Sequence, residues 1–434
     1  MTSVSATNTL NKRHVLITGS SGYVGQHLIA SFLLGGAGDP SCVRDVVDDV
    51  SRSTSSEEVT IGEIHDNVEE VVQYELFCAY NSLSTFEKDL EALLEQHQRQ
   101  RKQMLPTSRP PRANIHLIPN LDFSQPNYLD VIKQAIVRAS THVNQPPPLD
   151  AIIHLAALSS PGICEQNASL AYQVNCPTEL LKLNAPIIYL STDQVYEGAK
   201  QYYEEDADET VPVNVYGRSK LAFERVLLRE GGDDGQNRPQ LAEREVGSDI
   251  YCKRHLQDIT VDRMIPSAHP NSVILRSSLI LGPPPPLANG CKKGSYPSFL
   301  QFIESRLRSS TPTEYFVNEF RSVVHIYDVI KAVRHFLENG ITTTSSNRES
   351  TTVKVYNLGG SARVSRYDIA IEVASQLNID SSSAVPVNRR IGEESGGVPS
   401  PPDISMNVDK ITRELNSNLK GLREIVEATF SRGS

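Results

Sequence analysis

Tyr216 and Lys220 stand four residues apart in NVYGRSK, at the start of a segment with helical periodicity. That spacing places both side chains on one helix face. Upstream, a β-branched run over 186–191 leads into Thr192 and Asp193. A hydroxyl, a phenol and an ammonium gathered at one point suit the chemistry of a carbonyl. Thr192 would hydrogen-bond the carbonyl oxygen, and Tyr216 would give it a proton as general acid. A free phenol has a pKa of about 10, so work near neutrality asks for a change worth about 4 kcal/mol. The ammonium of Lys220 pushes in that direction.

A second constellation lies near the N-terminus, in HVLITGSSGYVGQHL. A β-branched run, 14–18, passes at once into Gly19, Ser20, Ser21, Gly22, Tyr23, Val24 and Gly25, and a helical pattern opens there, with Val24, Leu28 and Phe32 at spacings of four. The glycines serve a tight turn, a close backbone approach to a pyrophosphate, and close packing of helix on strand. The helix N-terminus offers unpaired N–H groups and a partial positive charge to the anion. This is a cradle for NAD(H) or NADP(H), whose cationic oxidised ring would also favour a Tyr216 phenolate. The second strand ends in Cys78, Ala79, Tyr80 and Asn81. It brings no acid to bind a ribose diol and no arginine to bind a 2′-phosphate; the missing carboxylate leans toward NADP.

The elements that must hold these groups alternate. Strand-like runs at 14–18, 71–79, 115–119, 151–156, 186–191 and 272–281 are separated by helical patterns at 23–34, 86–94, 128–139 and 214–229. Such alternation predicts an α/β fold of Rossmann type, a doubly wound parallel sheet. Ser84 and Glu87 form a capping box before one helix. Residues 35–70 and 231–270 are polar and aperiodic and read as insertions. Residues 1–281 would form the dinucleotide-binding domain. Residues 282–434, with helices near 298–308, 327–339, 365–377 and 408–415, would form a smaller substrate- or partner-binding lobe.

Bulk properties exclude several classes. The chain has 434 residues and a net charge of −10 with no basic stripe, which argues against nucleic acid. It shows neither an apolar run long enough for a membrane span nor a secretory leader, so cytosol is the expected location. The cysteines are scattered without C-x-x-C spacing, and no metal-ligand spacing is present. His154, in a strand-like run, reads as a core or cofactor-wall residue.

Taken together, these motifs resemble the extended short-chain dehydrogenase/reductases. The resemblance implies that Asp122, followed by Phe123 in NLDFS, meets the adenine end of the cofactor, and that Ala156 and Ala157 in HLAAL line the cofactor. YLSTDQVYEG, an acidic stretch and PVNVYGRSK look like the dTDP-4-dehydrorhamnose reductase branch. VILRSSLILG and FRSVVHIYDVIKAV are similar to its later segments. The branch implies reduction of a keto group on a nucleotide-linked sugar, with Thr192, Tyr216 and Lys220 catalytic and Asp193, Gln194 and Arg321 beside the substrate. Gln194 stands where the branch usually carries tyrosine, which leaves the sugar open. The branch also holds the NADP-binding regulatory β subunit of methionine adenosyltransferase, so a partner catalytic subunit is the second expectation. An epimerase or dehydratase is a third; a dehydratase needs an acid pair after the threonine, and only Asp193 is there.

Overall fold

The computed structural model describes residues 11–34, 72–81, 86–103, 113–139, 147–206, 208–228, 271–287, 298–340, 353–389 and 398–431. The two polar segments read as insertions, and Ser84 of the capping box, lie outside them. The described chain runs β1 (Asn11–Thr18), α1 (Tyr23–Leu34), β2 (Val72–Ala79), α2 (Phe86–Gln103), β3 (Ala113–Ile118), α3 (Tyr128–Ala139) and β4 (Ala151–His154). There follow α4 (Pro161–Gln166), α5 (Ala168–Asn175), β5 (Ile187–Thr192), α6 (Val215–Leu227), β6 (Ser272–Ser277) and β7 (Ile280–Leu281). The remainder is α7 (Phe299–Arg308), β8 (Thr313–Phe316), β9 (Phe320–Arg321), β10 (Val324–His325), α8 (Ile326–His335), β11 (Val353–Leu358), β12 (Val364–Ser365), α9 (Arg366–Leu377), β13 (Ala384–Val387), α10 (Asp409–Leu415) and α11 (Leu422–Phe430).

Seven strands form one sheet in the order β11-β6-β5-β4-β1-β2-β3, and every pairing is parallel. The order reverses between β1 and β4, and ligands of such sheets bind outside the strand ends at that point. Period-two alternation explains why these runs are apolar throughout. Val15 and Ile17 of β1 face a core shared with Leu28 and Phe32 of α1 and Val329 and Val333 of α8. Leu16 between them faces a second core with Ile132 of α3 and Phe223 of α6. A third, smaller core joins α7, α9 and α11 over the parallel pair β8–β13.

The expected α/β fold is present. Helix α6 begins where its N-cap, Asn214, accepts a hydrogen bond from the Gly217 amide at 2.8 Å. Two features depart from the sequence reading. The run 272–281 is broken into β6 and β7 after Ser277: the Ser278 amide makes a last bond to the Leu358 carbonyl of β11 at 3.0 Å, its hydroxyl donates to Asp193 at 2.9 Å, and the Leu279 carbonyl receives the Val324 amide instead. The seventh strand, β11, comes from the segment assigned to the second lobe and pairs along β6. The sheet therefore does not end at residue 281.

The buried ion pair of Arg276 with Glu224 ties β6 to α6, at 2.8 Å, with side chains 5% and 0% exposed. Ser191 of β5 also donates to Glu224, and Arg276 reaches the Tyr196 hydroxyl at 3.0 Å. Arg276→Met leaves a buried, unpaired carboxylate and should cost about 3–5 kcal/mol by chemical denaturation. The double variant Arg276→Met/Glu224→Leu should recover most of that loss; equal losses in single and double variants would contradict the assignment.

Candidate functional site

At the end of β1 the chain must turn sharply beneath β4. Gly19 has φ +73°, and a Cβ there would sit 2.7 Å from the Ala156 amide nitrogen. Helix α1 then presses on the same turn: a Cβ at Gly25 would fall 2.4 Å from the Gly19 carbonyl oxygen. Gly22 is exposed at the lip, and its amide closes the turn on the Gly19 carbonyl at 3.0 Å. Gly19 and Gly25 are thus fixed as glycine by close backbone contact, and Gly19 also by its positive φ. Thr18 braces the turn, its hydroxyl 2.7 Å from His154 Nδ1 and 3.4 Å from the Ala156 amide.

The glycine turn opens onto a cavity of about 1020 Å³ along the C-terminal edge of the sheet. Gly19, Ser21, Gly22, Tyr23, Val24 and Gly25 form one wall, with Asp122, Phe123, Ala156 and Ala157 beside them. Ser20 is the exception among the loop residues: it is fully buried, with its hydroxyl donated to the Ile17 carbonyl at 2.8 Å and its amide to the Ala79 carbonyl at 3.1 Å. Its side chain fixes the loop to the strands and is turned away from the cavity. Asp122 accepts the amide and hydroxyl of Ser124, at 2.9 and 2.7 Å, and the hydroxyl bond holds its carboxyl below the usual range.

Thr192, Tyr216 and Lys220 line the same cavity. Thr192 ends β5; its hydroxyl caps the following turn by accepting the Gln194 amide at 3.2 Å, and donates to Asp193 at 3.2 Å. Lys220 is 2% exposed, with its ammonium 4.2 Å from the centre of the Tyr189 ring. Burial pushes its pKa down to about 7, although Glu224, one turn along α6, opposes this. The Tyr216 phenol moves the other way. Burial raises its pKa, a hydrogen bond with Thr192 pulls against that, and Asp193 adds to the rise. Among the chain's own groups, burial sets the sign of this shift.

Asp193 is buried. Burial pushes its carboxyl up, while Arg321 and the hydroxyls of Ser278 and Thr192 hold it down. Gln194 presents its side-chain carbonyl to Asn214 at 2.8 Å. Arg321 donates to the Phe320 carbonyl at 2.7 Å and to Ser400 at 3.4 Å. Arg366 and Arg389, which the sequence reading passed over, line the same end and both pair with Glu319. They lie far apart in sequence, with no local spacing to mark them. Val398, Pro399 and Ser400 complete that end. His154 is a core residue: fully buried, stacked on Tyr189 at 5.5 Å, and held well below its usual pKa by burial. Cys78, Cys164 and Cys176 are buried free thiols. Among the described residues no cluster of three or more His, Cys, Asp or Glu could hold a metal ion, and no helix is long and apolar enough to cross a membrane.

Fold and cleft define a Rossmann-type α/β protein with a Thr-Tyr-Lys group at the strand ends. Comparison with known proteins agrees with the resemblance read from the motifs. Residues 91–234 match the family model described as the RmlD substrate binding domain. The chain is 38% identical over 89 residues to the dTDP-4-dehydrorhamnose reductase of Mycobacterium tuberculosis (strain CDC 1551 / Oshkosh), covering 18% of this chain and 29% of that protein. It is also 38% identical over 82 residues to methionine adenosyltransferase 2 subunit beta of Danio rerio, covering 18% of this chain and 25% of that protein. These matches span less than a third of either relative. In solved structures the whole fold recurs. The Bacillus anthracis dTDP-4-dehydrorhamnose reductase, described in complex with NADP, aligns over 97% of this chain and 99% of its own, with TM-score 0.55 and 14% identity.

The Lys220 environment has a sign that can be checked. A lysine whose folded pKa is depressed to about 7 costs stability below that pH. The cost fades as pH rises toward the unfolded value near ~10.4. Lys220→Met should therefore be more stable than wild type at pH 6 in urea melts, with a gap that narrows steadily toward pH 10. A gap independent of pH would contradict the depressed value.

Proposed function

We propose that the chain is an NAD(P)H-dependent reductase acting on the keto group of a nucleotide-linked sugar. The observation that carries this reading is that the glycine turn, Thr192, Tyr216 and Lys220 open into one continuous cavity. The cradle suits a dinucleotide: side chains at Gly19 or Gly25 would strike backbone, so the wall stays bare where a pyrophosphate must come close. Asp122 would serve the adenine end, and Ala156 and Ala157 the middle. A bound reduced nicotinamide supplies the hydride.

The chain's own groups do the rest. Thr192 orients the substrate oxygen, and Tyr216 gives that oxygen its proton. The raised phenol pKa keeps this proton in place until charge develops on the substrate oxygen. Lys220, one turn on, holds the nicotinamide ribose and stabilises the phenolate that remains. At the other end, Arg321, Arg366 and Arg389 face Asp193 and Glu319, an excess of one positive charge that suits a diphosphate. The absence of an acid after β2 favours NADPH.

The relatives named methionine adenosyltransferase 2 subunit beta support a second reading, a cofactor-binding regulatory subunit with a catalytic partner. One assay divides the two. Purified protein, NADPH or NADH, and a dTDP-4-keto-6-deoxysugar are followed at 340 nm. Wild type should oxidise the cofactor, faster with NADPH, and Tyr216→Phe should lose at least about a hundredfold in kcat. Cofactor binding without oxidation, with co-elution of a methionine adenosyltransferase catalytic subunit, would overturn the reductase in favour of the regulator.

A further inference from the structure

Asn214 does more than cap a helix. It is 1% exposed, and its side-chain oxygen accepts the Gly217 amide. Its side-chain nitrogen donates to Gln194 Oε1 at 2.8 Å and to the Pro399 carbonyl at 3.1 Å. The orientation of the amide is fixed by its surroundings. Reversing it would set an NH2 against the Gly217 donor and an oxygen against the Pro399 carbonyl. Both amide protons are therefore spent on protein, and none is left for a substrate.

The partners matter because of what each carries. Gln194 follows Thr192 and Asp193, and its backbone oxygen lies so near α6 that a Cβ at Gly217 would be 2.2 Å from it. Pro399 belongs to the segment 398–406, which runs from beside Asn214 to β9. Its Pro402 carbonyl takes the Phe320 amide at 2.8 Å, and its Ile404 amide returns to the Phe320 carbonyl at 3.2 Å. Ser400 meets Arg321. Pro401 and Pro402 pack on Gly198. A single amide thus touches the helix that carries Tyr216, the turn that follows Thr192, and the segment that walls the basic end of the cavity.

We propose that Asn214 is a positioning residue for the substrate, acting through Gln194 and Pro399 to clamp the segment 398–406 against the Tyr216 helix. The proposal rests on the reductase reading for its kinetic consequence, but the clamp itself is a property of the fold. It assigns Gln194 a role as one anchor of this clamp, and it makes the substrate half of the cavity, whose wall Asn214 joins, dependent on an amide whose hydrogen bonds are all spent on protein.

Asn214→Asp and Asn214→Ser separate the clamp from the cap. Both side chains accept the Gly217 amide as N-caps, but neither reproduces the two donated bonds: an ionised aspartate has no donor, and the single, shorter O–H of serine cannot serve Gln194 and Pro399 together. The full chain is used, with NADPH, and two readouts are taken. Hydrogen exchange should quicken at least about tenfold at Phe320 and across 398–406 in both variants, while the amides of α6 keep their wild-type rates. KM for the dTDP-4-keto-6-deoxysugar should rise about tenfold, with kcat and the Kd for NADPH within about twofold. If one variant fails to fold, the other carries the test. Wild-type exchange at 398–406 in a folded variant would overturn the clamp, as would an equal loss of NADPH affinity. If wild type shows no turnover, the reductase reading fails on its own, and the exchange rates still decide the clamp.

Discussion

The ion pair of Arg276 and Glu224 is the fixed point of this site. Both charges are buried, and the cost of burying them is offset by the pairing and by hydrogen bonds from the surrounding chain. Ser191 comes from β5, and Tyr196 from the turn after it. Tyr196 in turn donates to Asn357 of β11 at 2.8 Å. The geometry of the pair sets how far α6 sits from the sheet. Because Lys220 lies one turn before Glu224 on that helix and Tyr216 one turn earlier still, the depth and rotation of both follow from it. Glu224 also supplies the negative charge that partly offsets the burial of Lys220. One buried contact thereby couples the position of the helix to the charge on its lysine.

The cavity is graded in charge along its length. The cradle end carries helix dipole and bare backbone but, among the residues that line it, only the carboxylate of Asp122. In the middle, burial pushes Tyr216 up and Lys220 down, while Glu224 opposes the shift of the lysine. The far end holds arginines balanced incompletely by Asp193 and Glu319. On the proposed function, the two ends of the cavity would receive the anionic parts of cofactor and substrate.

What the sequence revealed and what it hid follow from the range of the interactions. The glycine turn is local: strand, turn and helix are contiguous, and each glycine answers to atoms within reach of the same motif or its neighbouring strand. Tyr216 and Lys220 are joined by helical spacing alone. By contrast, β11 enters the sheet from residue 353 onward, and a short apolar run there looks like any other. Arg366 and Arg389 reach the cavity from α9 and from just beyond β13, and Pro399 from a segment without periodicity. At the break in a strand-like run, Ser278 gives its hydroxyl to Asp193, far away in sequence. The direction in which burial moves the Tyr216 phenol is hidden for the same reason: tertiary packing decides it, not the neighbouring residue types.

On the proposed mechanism, hydride crosses this cavity to a carbon whose oxygen Tyr216 protonates. This transfer is tested most directly by supplying NADPH deuterated at the transferable C4 position, with a dTDP-4-keto-6-deoxysugar, and reading the product by mass spectrometry and NMR. The account predicts one deuterium on the new carbinol carbon with wild type and almost none with Tyr216→Phe. Product without deuterium, or deuterium transfer that is indifferent to Tyr216→Phe, would contradict it.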